Sequence, residues 1–335
     1  MNWFSQLTGI PEHSPDQVRS QLELVDGILY SQANGQSWYC GQFSAPSLSE
    51  LRTALEPALN QYGSSQRLRV SEQVADVTAL HTDPANAGAL FQVASQFNLL
   101  EMVSPRVTPE QGVGLYSHDA TQGPACAIAC GAGTIWRNYF MPLGGQAGQS
   151  AELQFDALHE LGQALGNQGQ LWEMRNGYAL ASITGLEHIN QWLAQASPQE
   201  RDNLGGQLRI GLQADTQVCL PGCTHRVNQI YCSALPVAYS AHSSELWEPF
   251  ARLILDAAYE ATFFVAMQQL QAGGSNTLYL TLLGGGAFGN RSDWIMDSLR
   301  KALVKFAAAA LDVRIVSHHL PNPAVQRLLS ELGHT

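Results

Sequence analysis

The feature that most constrains this chain is a group of four glycines between residues 284 and 289, lying between an apolar stretch and a periodic one. Residues 278–283, Leu-Tyr-Leu-Thr-Leu-Leu, predict a buried strand, and residues 293–311 have the apolar spacing of a helix. Glycines permit positive φ angles and a close approach of a ligand to the backbone, and a helix N-terminus offers unpaired N–H groups. The pattern predicts a loop that binds a diphosphate. Its alternative is a strand-to-helix turn in which glycine serves only close packing.

The residues of this turn resemble those of a known family. The run consists of Gly284, Gly285, Gly286, Ala287, Phe288, Gly289 and Asn290. It is similar to the phosphate-binding loop of macrodomains, and in particular to the Gly-Ala-Phe-Gly form of poly(ADP-ribose) glycohydrolases. A second apolar stretch, 311–317, follows the helix and predicts a short strand, as in that fold. The resemblance implies a three-layer α/β/α fold with a mixed sheet, and it implies that these seven residues contact the ligand.

A second stretch, 88–101, predicts an apolar strand that ends in polar residues. Open α/β sheets collect their ligands at the carboxyl ends of strands, so these side chains are candidates for binding. They are Ser95, Gln96, Asn98 and Glu101. In macrodomains the corresponding strand ends in an Asn-Ala-Ala-Asn type of run whose last asparagine contacts the distal ribose. The resemblance gives that role to Asn98, although the glycine triplet that follows it in the family is missing here.

Residues 102–119 then predict a loop rich in proline and glycine, which leads to Thr121, Gln122 and Gly123. Gly123 frees the backbone, and Pro124 suits the first turn of a helix. The segment therefore predicts either a replacement for the missing ribose or phosphate loop or a simple helix start.

Length, composition and charge limit the classes of protein to which this chain can belong. With 335 residues and 45% apolar content, the chain can bury one large α/β core, and we expect a single macrodomain-like domain over 1–335. The formal charge of −11 disfavours non-specific binding to nucleic acids or anionic membranes, which depends on clustered Lys and Arg. No stretch approaches the roughly 20 uninterrupted apolar residues that cross a bilayer, and the first residues lack the pattern of a secretion signal. We expect a cytoplasmic protein.

Residues 1–66 predict an N-terminal extension made of a hairpin and a helix. Asn34 and Gly35 form a strong tight-turn signal between the β-leaning stretches 28–31 and 37–40. Ser47 or Ser49 can cap the helix that follows. Beyond this extension, residues 68–80 are β-leaning and predict one or two strands.

Residues 134–238 are too long for a connection within a minimal macrodomain and predict a largely helical insertion. Two helical stripes carry this prediction: Leu153, Ala157, Leu161 and Leu165, and then Leu186, Ile189 and Leu193. Between them, Glu173 and Arg175 lie among aromatic residues, which suits either a ligand-facing surface or an internal ion pair. Tyr239, just after the insertion, is a candidate for contact with a nucleotide or ribose, or else a packed tyrosine.

The six cysteines are Cys40, Cys126, Cys130, Cys219, Cys223 and Cys232. Cys219, Cys223 and His225 are one ligand short of a tetrahedral zinc site, so the sequence favours buried free thiols and no metal.

The first functional hypothesis is a hydrolase that cleaves an ADP-ribosyl bond without a cofactor. Its acid or base is Glu101, Asp119 or Glu173, because such chemistry needs a carboxyl group beside the anomeric carbon. The paired glutamates of poly(ADP-ribose) glycohydrolases have no counterpart after this glycine run. This favours cleavage of single ADP-ribosyl groups from a modified protein or another ADP-ribosylated substrate over cleavage of the polymer.

Two other functions use similar features. One is a module that binds ADP-ribose or an NAD metabolite without turning it over. The other is an unrelated nucleotide-binding α/β protein. The sequence has no P-loop, no Gly-x-Ser-x-Gly elbow and no His-Glu-x-x-His helix, which argues against the enzyme classes that those motifs mark.

Overall fold

A computed structural model describes residues 2–59 and 67–333 of the chain. The predicted extension 1–66 therefore lies in part outside the described residues, at 1 and 60–66, and so do residues 334–335 of the predicted domain.

The strands of the described residues are as follows. They are β1 (Leu22–Val25), β2 (Ile28–Ser31), β3 (Ser37–Tyr39), β4 (Gln42–Ser44), β5 (Arg69–Val74), β6 (Leu90–Ala94), β7 (Pro142–Leu143), β8 (Gln146–Ala147), β9 (Trp172–Arg175), β10 (Tyr178–Ala181), β11 (Gly211–Gln217), β12 (Arg226–Cys232), β13 (Thr277–Leu280) and β14 (Asp312–Ser317).

The α-helices of the same residues alternate with these strands over much of the chain. They are α1 (Trp3–Thr8), α2 (Pro15–Gln21), α3 (Leu48–Leu59), α4 (Val77–Thr82), α5 (Gln122–Ala129), α6 (Gly131–Tyr139), α7 (His159–Leu165), α8 (Ile183–Gln195), α9 (Pro198–Gly206), α10 (Ser244–Gln271), α11 (Ser292–Lys305) and α12 (Pro323–Glu331).

The central sheet of the described residues has seven strands in the order β4-β11-β12-β6-β13-β14-β5. Strands β12, β6, β13, β14 and β5 run parallel to one another, whereas β11 is antiparallel to both of its neighbours. The register places Ala94, the last residue of β6, opposite Cys232, the last residue of β12. The carboxyl ends of the central parallel strands therefore meet at one edge of a mixed sheet, where ligands of such sheets bind.

Helices cover both faces of this sheet, and the side chains of β6 show how. Leu90 packs in the core around α10, and Gln92 donates a hydrogen bond to Thr262 of α10 at 2.8 Å. Phe91 and Val93 pack on the opposite face, in the core formed with α4 and α5. This alternation has the period of two that a strand imposes. It confirms the predicted three-layer α/β/α arrangement.

Several elements predicted from local patterns are confirmed. Strands β2 and β3 form the hairpin across Asn34 and Gly35. The side chain of Ser47 accepts a hydrogen bond from the Glu50 N–H at the start of α3. No helix of the described residues, α10 included, is long and apolar enough to cross a membrane.

Residues 68–80 differ from the prediction of one or two strands. Only the first half is a strand, β5, and Val77 begins helix α4. The side chain of Asp76 accepts a hydrogen bond from the Thr78 N–H at 2.6 Å and caps this helix. An N-cap therefore outweighs the β-leaning composition of Val77 to Leu80.

The segment 134–238 also differs in content from its prediction. It contains the larger part of α6 and the helices α7, α8 and α9, but also the hairpins β7–β8 and β9–β10 and the strands β11 and β12 of the central sheet. The stripe that begins at Leu153 becomes helical only at His159, and Leu153 is exposed. Strand β11 escapes sequence detection because polar side chains, Gln213 and Thr216, occupy buried positions along it, so no alternation of apolar and polar residues marks the strand.

Candidate functional site

A cleft of about 340 Å³ opens at the carboxyl ends of β6, β12, β13 and β14. This volume lies in the range of roughly 300–1,000 Å³ that is usual for small-molecule sites. Two loops form much of its wall: the glycine loop, residues 281–290, and the acid loop, residues 95–121. The lining residues are Ala94, Ser95, Gln96, Glu101, Met102, Asp119, Ala120, Thr121, Gln122, Gly123, Tyr178, Ala234, Tyr239, Thr281, Leu282, Leu283, Gly284, Gly286, Ala287, Phe288 and His318.

The glycine loop is closed by its own backbone. The Asn290 N–H donates to the Gly284 carbonyl at 2.9 Å, and the Gly289 N–H donates to the Gly286 carbonyl at 3.0 Å. Gly284 and Gly289 adopt φ angles of +74° and +70°, which side chains disfavour. The side-chain amide of Asn290 donates to the Leu235 carbonyl at 2.8 Å. Asn290, predicted to contact the ligand, is buried and does not line the cleft; it anchors the loop instead.

The glycines of this loop divide between the two roles that the sequence left open. A Cβ on Gly284 would lie 2.5 Å from the Ala234 Cβ, and one on Gly289 would lie 2.8 Å from the Ala238 Cβ. These two glycines serve close packing. A Cβ on Gly286 would meet nothing within 4 Å, because this residue borders the open cleft. Gly285 and Gly289 do not line the cleft, in contrast to the prediction.

Three backbone N–H groups of the glycine loop remain available to a ligand. Those of Gly286, Ala287 and Phe288 donate to no acceptor among the residues that the structure describes. Consecutive free N–H groups in a turn form a concave anion site. The first turn of α11 does not line the cleft, so the loop itself, and not the predicted helix end, supplies these donors.

The cleft has no Lys or Arg among its described lining residues, and His318 is its one basic side chain there. An anionic ligand would therefore be held by backbone donors. His318 follows β14 and lies close to Asp76, with 3.7 Å between Nε2 and the carboxylate oxygen. The sequence alone does not predict a role for His318, because the pairing of β14 with β13 that brings this residue to the cleft forms only in the folded sheet.

Glu101 lies in the wall of the cleft and is 4% exposed. Its Oε1 atom is buried and has no hydrogen-bond partner among the described residues. Burial raises the pKa of Glu101 well above its usual range; Arg137 acts in the opposite direction, and Asp119 raises the pKa further. The carboxyl group therefore keeps its proton at a higher pH than an ordinary glutamate does, as a general acid requires.

The start of helix α5 forms the wall beside Glu101, and it contributes the predicted residues Thr121, Gln122 and Gly123 to the lining. A Cβ on Gly123 would lie 2.1 Å from the Ala94 carbonyl oxygen and 3.0 Å from the Glu101 Oε2. Position 123 thus requires glycine, because the start of α5 contacts both strand β6 and the Glu101 carboxyl group there. The Gln122 side chain accepts a hydrogen bond from the Val77 N–H, which ties the helix start to α4.

Ser95 and Gln96 line the cleft as predicted, but Asn98 does not. Asn98 is fully buried, donates to Gln154 Oε1 at 2.8 Å and accepts from the Leu100 N–H at 3.1 Å. The turn of the β9–β10 hairpin covers it, because a Cβ on Gly177 would lie 2.5 Å from the Asn98 Oδ1. Asn98 therefore lies outside the cleft in this structure, and its contact with a ribose stays a prediction.

The two other candidate carboxylates have different positions. Asp119 lines the cleft, and its Oδ1 accepts a hydrogen bond from the Thr121 N–H at 2.8 Å. Glu173 lies on β9 outside the lining and pairs with Arg175 at 2.8 Å, with more than half of its side chain exposed. Glu173 thus forms the ion pair that the sequence offered as the alternative, and its catalytic role stays a prediction without support from the cleft lining.

An aromatic cluster forms a further side of the cleft. It consists of Tyr178, Tyr239 and Phe288, whose ring centroids lie 4.9, 5.3 and 5.7 Å apart. The Tyr178 hydroxyl donates to the Met102 carbonyl at 2.6 Å, which fixes its ring against the acid loop. Such rings offer faces on which a base or sugar can stack. Tyr239 was predicted, whereas Tyr178 arrives through the β9–β10 hairpin and was missed.

The residues described by the structure include no group of three or more His, Cys, Asp or Glu placed to hold a metal ion. All six cysteines are free. Cys40, Cys126, Cys130 and Cys232 are buried, and Cys219 and Cys223 are partly exposed.

No protein-family model matches the chain, and no curated protein matches it. Solved structures do align with it. One is the poly(ADP-ribose) glycohydrolase of Deinococcus radiodurans in complex with ADP-ribose, at 14% identity and a TM-score of 0.48, covering 87% of this chain and 94% of that one. Another is the poly(ADP-ribose) glycohydrolase of Thermomonospora curvata, at 12% identity and a TM-score of 0.46, covering 94% and 95%. The latter enzyme bound to the inhibitor ADP-HPD aligns at 11% identity and a TM-score of 0.43, covering 95% of each chain. The glycine-rich turn of this chain resembles the same family.

Proposed function

We propose that this protein binds ADP-ribose in the cleft and hydrolyses the bond between an ADP-ribosyl group and a modified protein. The observation that carries the proposal is Glu101, a buried carboxyl group with a free oxygen in the wall of a cleft whose other loop presents free N–H groups. The glycine loop suits a diphosphate, and the aromatic cluster suits a base or sugar. The carboxyl group suits proton transfer at the bond to be cleaved.

In the proposed reaction, Glu101 gives its proton to the linking atom of the modified group as the bond from that atom to the ribose carbon breaks. A water oxygen then bonds to the same carbon, and its proton returns to the Glu101 carboxylate. The raised pKa of Glu101 favours the first step, because the acid form persists at higher pH. Asp119 lines the same cleft and is the second carboxylate available to orient the water.

The substrate of this proposal is a single ADP-ribosyl group and not the polymer, since the paired glutamates of the resembled family are missing after the glycine run. The partner is a modified protein, and the proposed location is the cytoplasm. The net charge of −11 and the lack of Lys or Arg in the described cleft lining weigh against non-specific binding to nucleic acids or anionic membranes.

The test has two measurements on the same protein. Calorimetric titration measures binding of ADP-ribose, and a panel of substrates modified at Arg, Ser, Asp or Glu measures release of ADP-ribose. Glu101→Gln keeps the shape of the side chain, so it should bind ADP-ribose like the wild type but release it about 100-fold more slowly or worse. A wild type that binds no ADP-ribose would refute the proposal as a whole.

One observation favours a second function, a module that binds ADP-ribose without turnover. The cleft holds a single buried carboxyl group among its described lining residues, and Asn98 is used elsewhere. Tight ADP-ribose binding by a wild type that releases nothing from the whole panel would establish this function in place of the hydrolase.

A further inference from the structure

Arg137 is a buried cation without a counter-ion. It lies on α6, is 1% exposed, and forms no ion pair with a carboxylate of the described residues. Its guanidinium donates to neutral acceptors only: the Leu99 carbonyl at 3.2 Å, the Gln213 side chain at 3.3 Å and the Thr134 hydroxyl at 3.1 Å. Burial of an unpaired charge is costly, so this position requires an explanation.

The first acceptor connects Arg137 to the acid loop. Leu99 adopts a φ of +64°, a left-handed conformation that is rare for leucine. Its carbonyl accepts the Arg137 Nε–H, and the chain reaches Glu101 two residues later. The guanidinium therefore helps to hold the turn that delivers Glu101 to the cleft, together with the Tyr116 hydroxyl, which accepts a hydrogen bond from the Glu101 N–H at 3.0 Å. On its other side it lies 3.6 Å from the centroid of the Tyr231 ring, so an aromatic face fixes its plane.

The second connection is electrostatic. Arg137 and Asp119 are the charged groups that act on Glu101, with opposite signs. The other titratable groups near Glu101 are Tyr116, Tyr178, Tyr231 and Cys126, and burial raises the pKa of each, so they stay neutral. Arg137 thus supplies positive charge to Glu101 without pairing with it, and Oε1 remains free for a substrate.

We propose that Arg137 is the positioning residue of the cleft. From behind the turn at Leu99, it orients the Glu101 carboxyl group and compensates the negative charge that Glu101 acquires when its proton leaves. A direct ion pair would lower the pKa of Glu101 and favour its ionised form, whereas a cation held by neutral acceptors leaves the carboxyl group able to alternate between its two forms. This inference deepens the proposed function and rests on it for its role in turnover.

The test compares loss of the charge with loss of a hydrogen bond. Arg137→Met removes the charge but keeps an unbranched stem. Thr134→Val removes the hydroxyl that accepts from Arg137 and donates to the Ala127 carbonyl, but it keeps the charge. The readout is the titration midpoint of Glu101, followed by carbon-13 NMR of labelled glutamate and by the pH profile of kcat. We expect Arg137→Met to raise the midpoint by about one pH unit, since a nearby opposite charge lowers a carboxyl pKa by about that much. Thr134→Val should leave it unchanged.

A folded Arg137→Met with the wild-type midpoint would overturn the inference, as would an equal shift in Thr134→Val. ADP-ribose affinity should change by less than about threefold in Arg137→Met, because Arg137 does not line the cleft. If Arg137→Met does not fold, Arg137→Lys decides. It keeps the charge but loses the planar fork, so kcat should fall about tenfold at an unchanged midpoint, and an unchanged kcat would contradict the positioning role.

The NMR titration separates this inference from the proposed function. If the wild type releases no ADP-ribose, the hydrolase proposal fails, yet the effect of Arg137 on Glu101 is still measured. If the wild type is active and the titration midpoint of Glu101 is the same in Arg137→Met as in the wild type, only this inference fails.

Discussion

The two loops of the cleft are built in different ways. The glycine loop is closed mainly by its own backbone, with Asn290 as its anchor and the Tyr259 hydroxyl beneath it. The acid loop is held by residues from distant parts of the chain: the Glu12 carboxylate accepts hydrogen bonds from the Val113 and Gly114 N–H groups, and Trp3 donates to the Val113 carbonyl. A loop with local contacts can be understood from its own residues. A loop with remote contacts depends on the rest of the fold.

The largest expected effect tests this dependence. Glu12→Ala leaves the Val113 and Gly114 N–H groups and the Tyr139 hydroxyl without their acceptor, so we expect the free energy of unfolding to fall by about 2 kcal/mol. Chemical denaturation measures it. Glu23→Ala is the matched control, because Glu23 is exposed on β1. Equal losses in both variants would show that the acid loop does not need its N-terminal support.

The second prediction concerns the glycine loop. Gly286→Glu places a carboxylate at the open rim beside the free N–H groups, so we expect ADP-ribose affinity to fall about tenfold by charge repulsion. Gly286→Ala is the control. It meets no neighbour within 4 Å and should bind like the wild type. If the glutamate variant binds as tightly as the alanine variant in calorimetry, the diphosphate is held elsewhere.

The third prediction is smaller and concerns stability. Burial raises the pKa of Glu101 above that of a glutamate in the unfolded chain, so the native state binds this proton more tightly. Below the pKa of Glu101 in the unfolded chain, the native protein has the full stability that the bound proton contributes. This stability is lost as the pH rises through the raised pKa of Glu101 in the native state. Glu101→Gln does not titrate. The difference in Tm between the variant and the wild type should therefore favour the variant more at pH 8 than at pH 5. A Tm difference that does not change with pH would show that the native pKa of Glu101 is not raised.

The smallest expected effect is at Glu173. Its exposed pair with Arg175 lies outside the cleft, so Glu173→Gln should change the free energy of unfolding by less than about 0.5 kcal/mol and leave turnover unchanged. A large loss of turnover would return Glu173 to the list of catalytic candidates and place the β9–β10 hairpin closer to the substrate than the structure shows.

The same contrast explains how far the sequence predicts this molecule. Strand β13, the glycine turn and helix α11 follow from adjacent residues, and so does β6. The role of Asn98 does not follow from adjacent residues. Its hydrogen-bond partner Gln154 and its close neighbour Gly177 lie far along the chain. Tyr178 and His318 reach the cleft through tertiary packing that no local pattern records. Glu101 was predicted from its place after β6, but its free oxygen and its distant cation were not.

The unsatisfied oxygen of Glu101 also has an evolutionary consequence. Oε1 makes no hydrogen bond with the described residues, so a glutamine of the same shape would remove the buried acid without breaking a hydrogen bond there. If the proposed chemistry holds, one codon change separates a catalyst from a receptor for the same ligand.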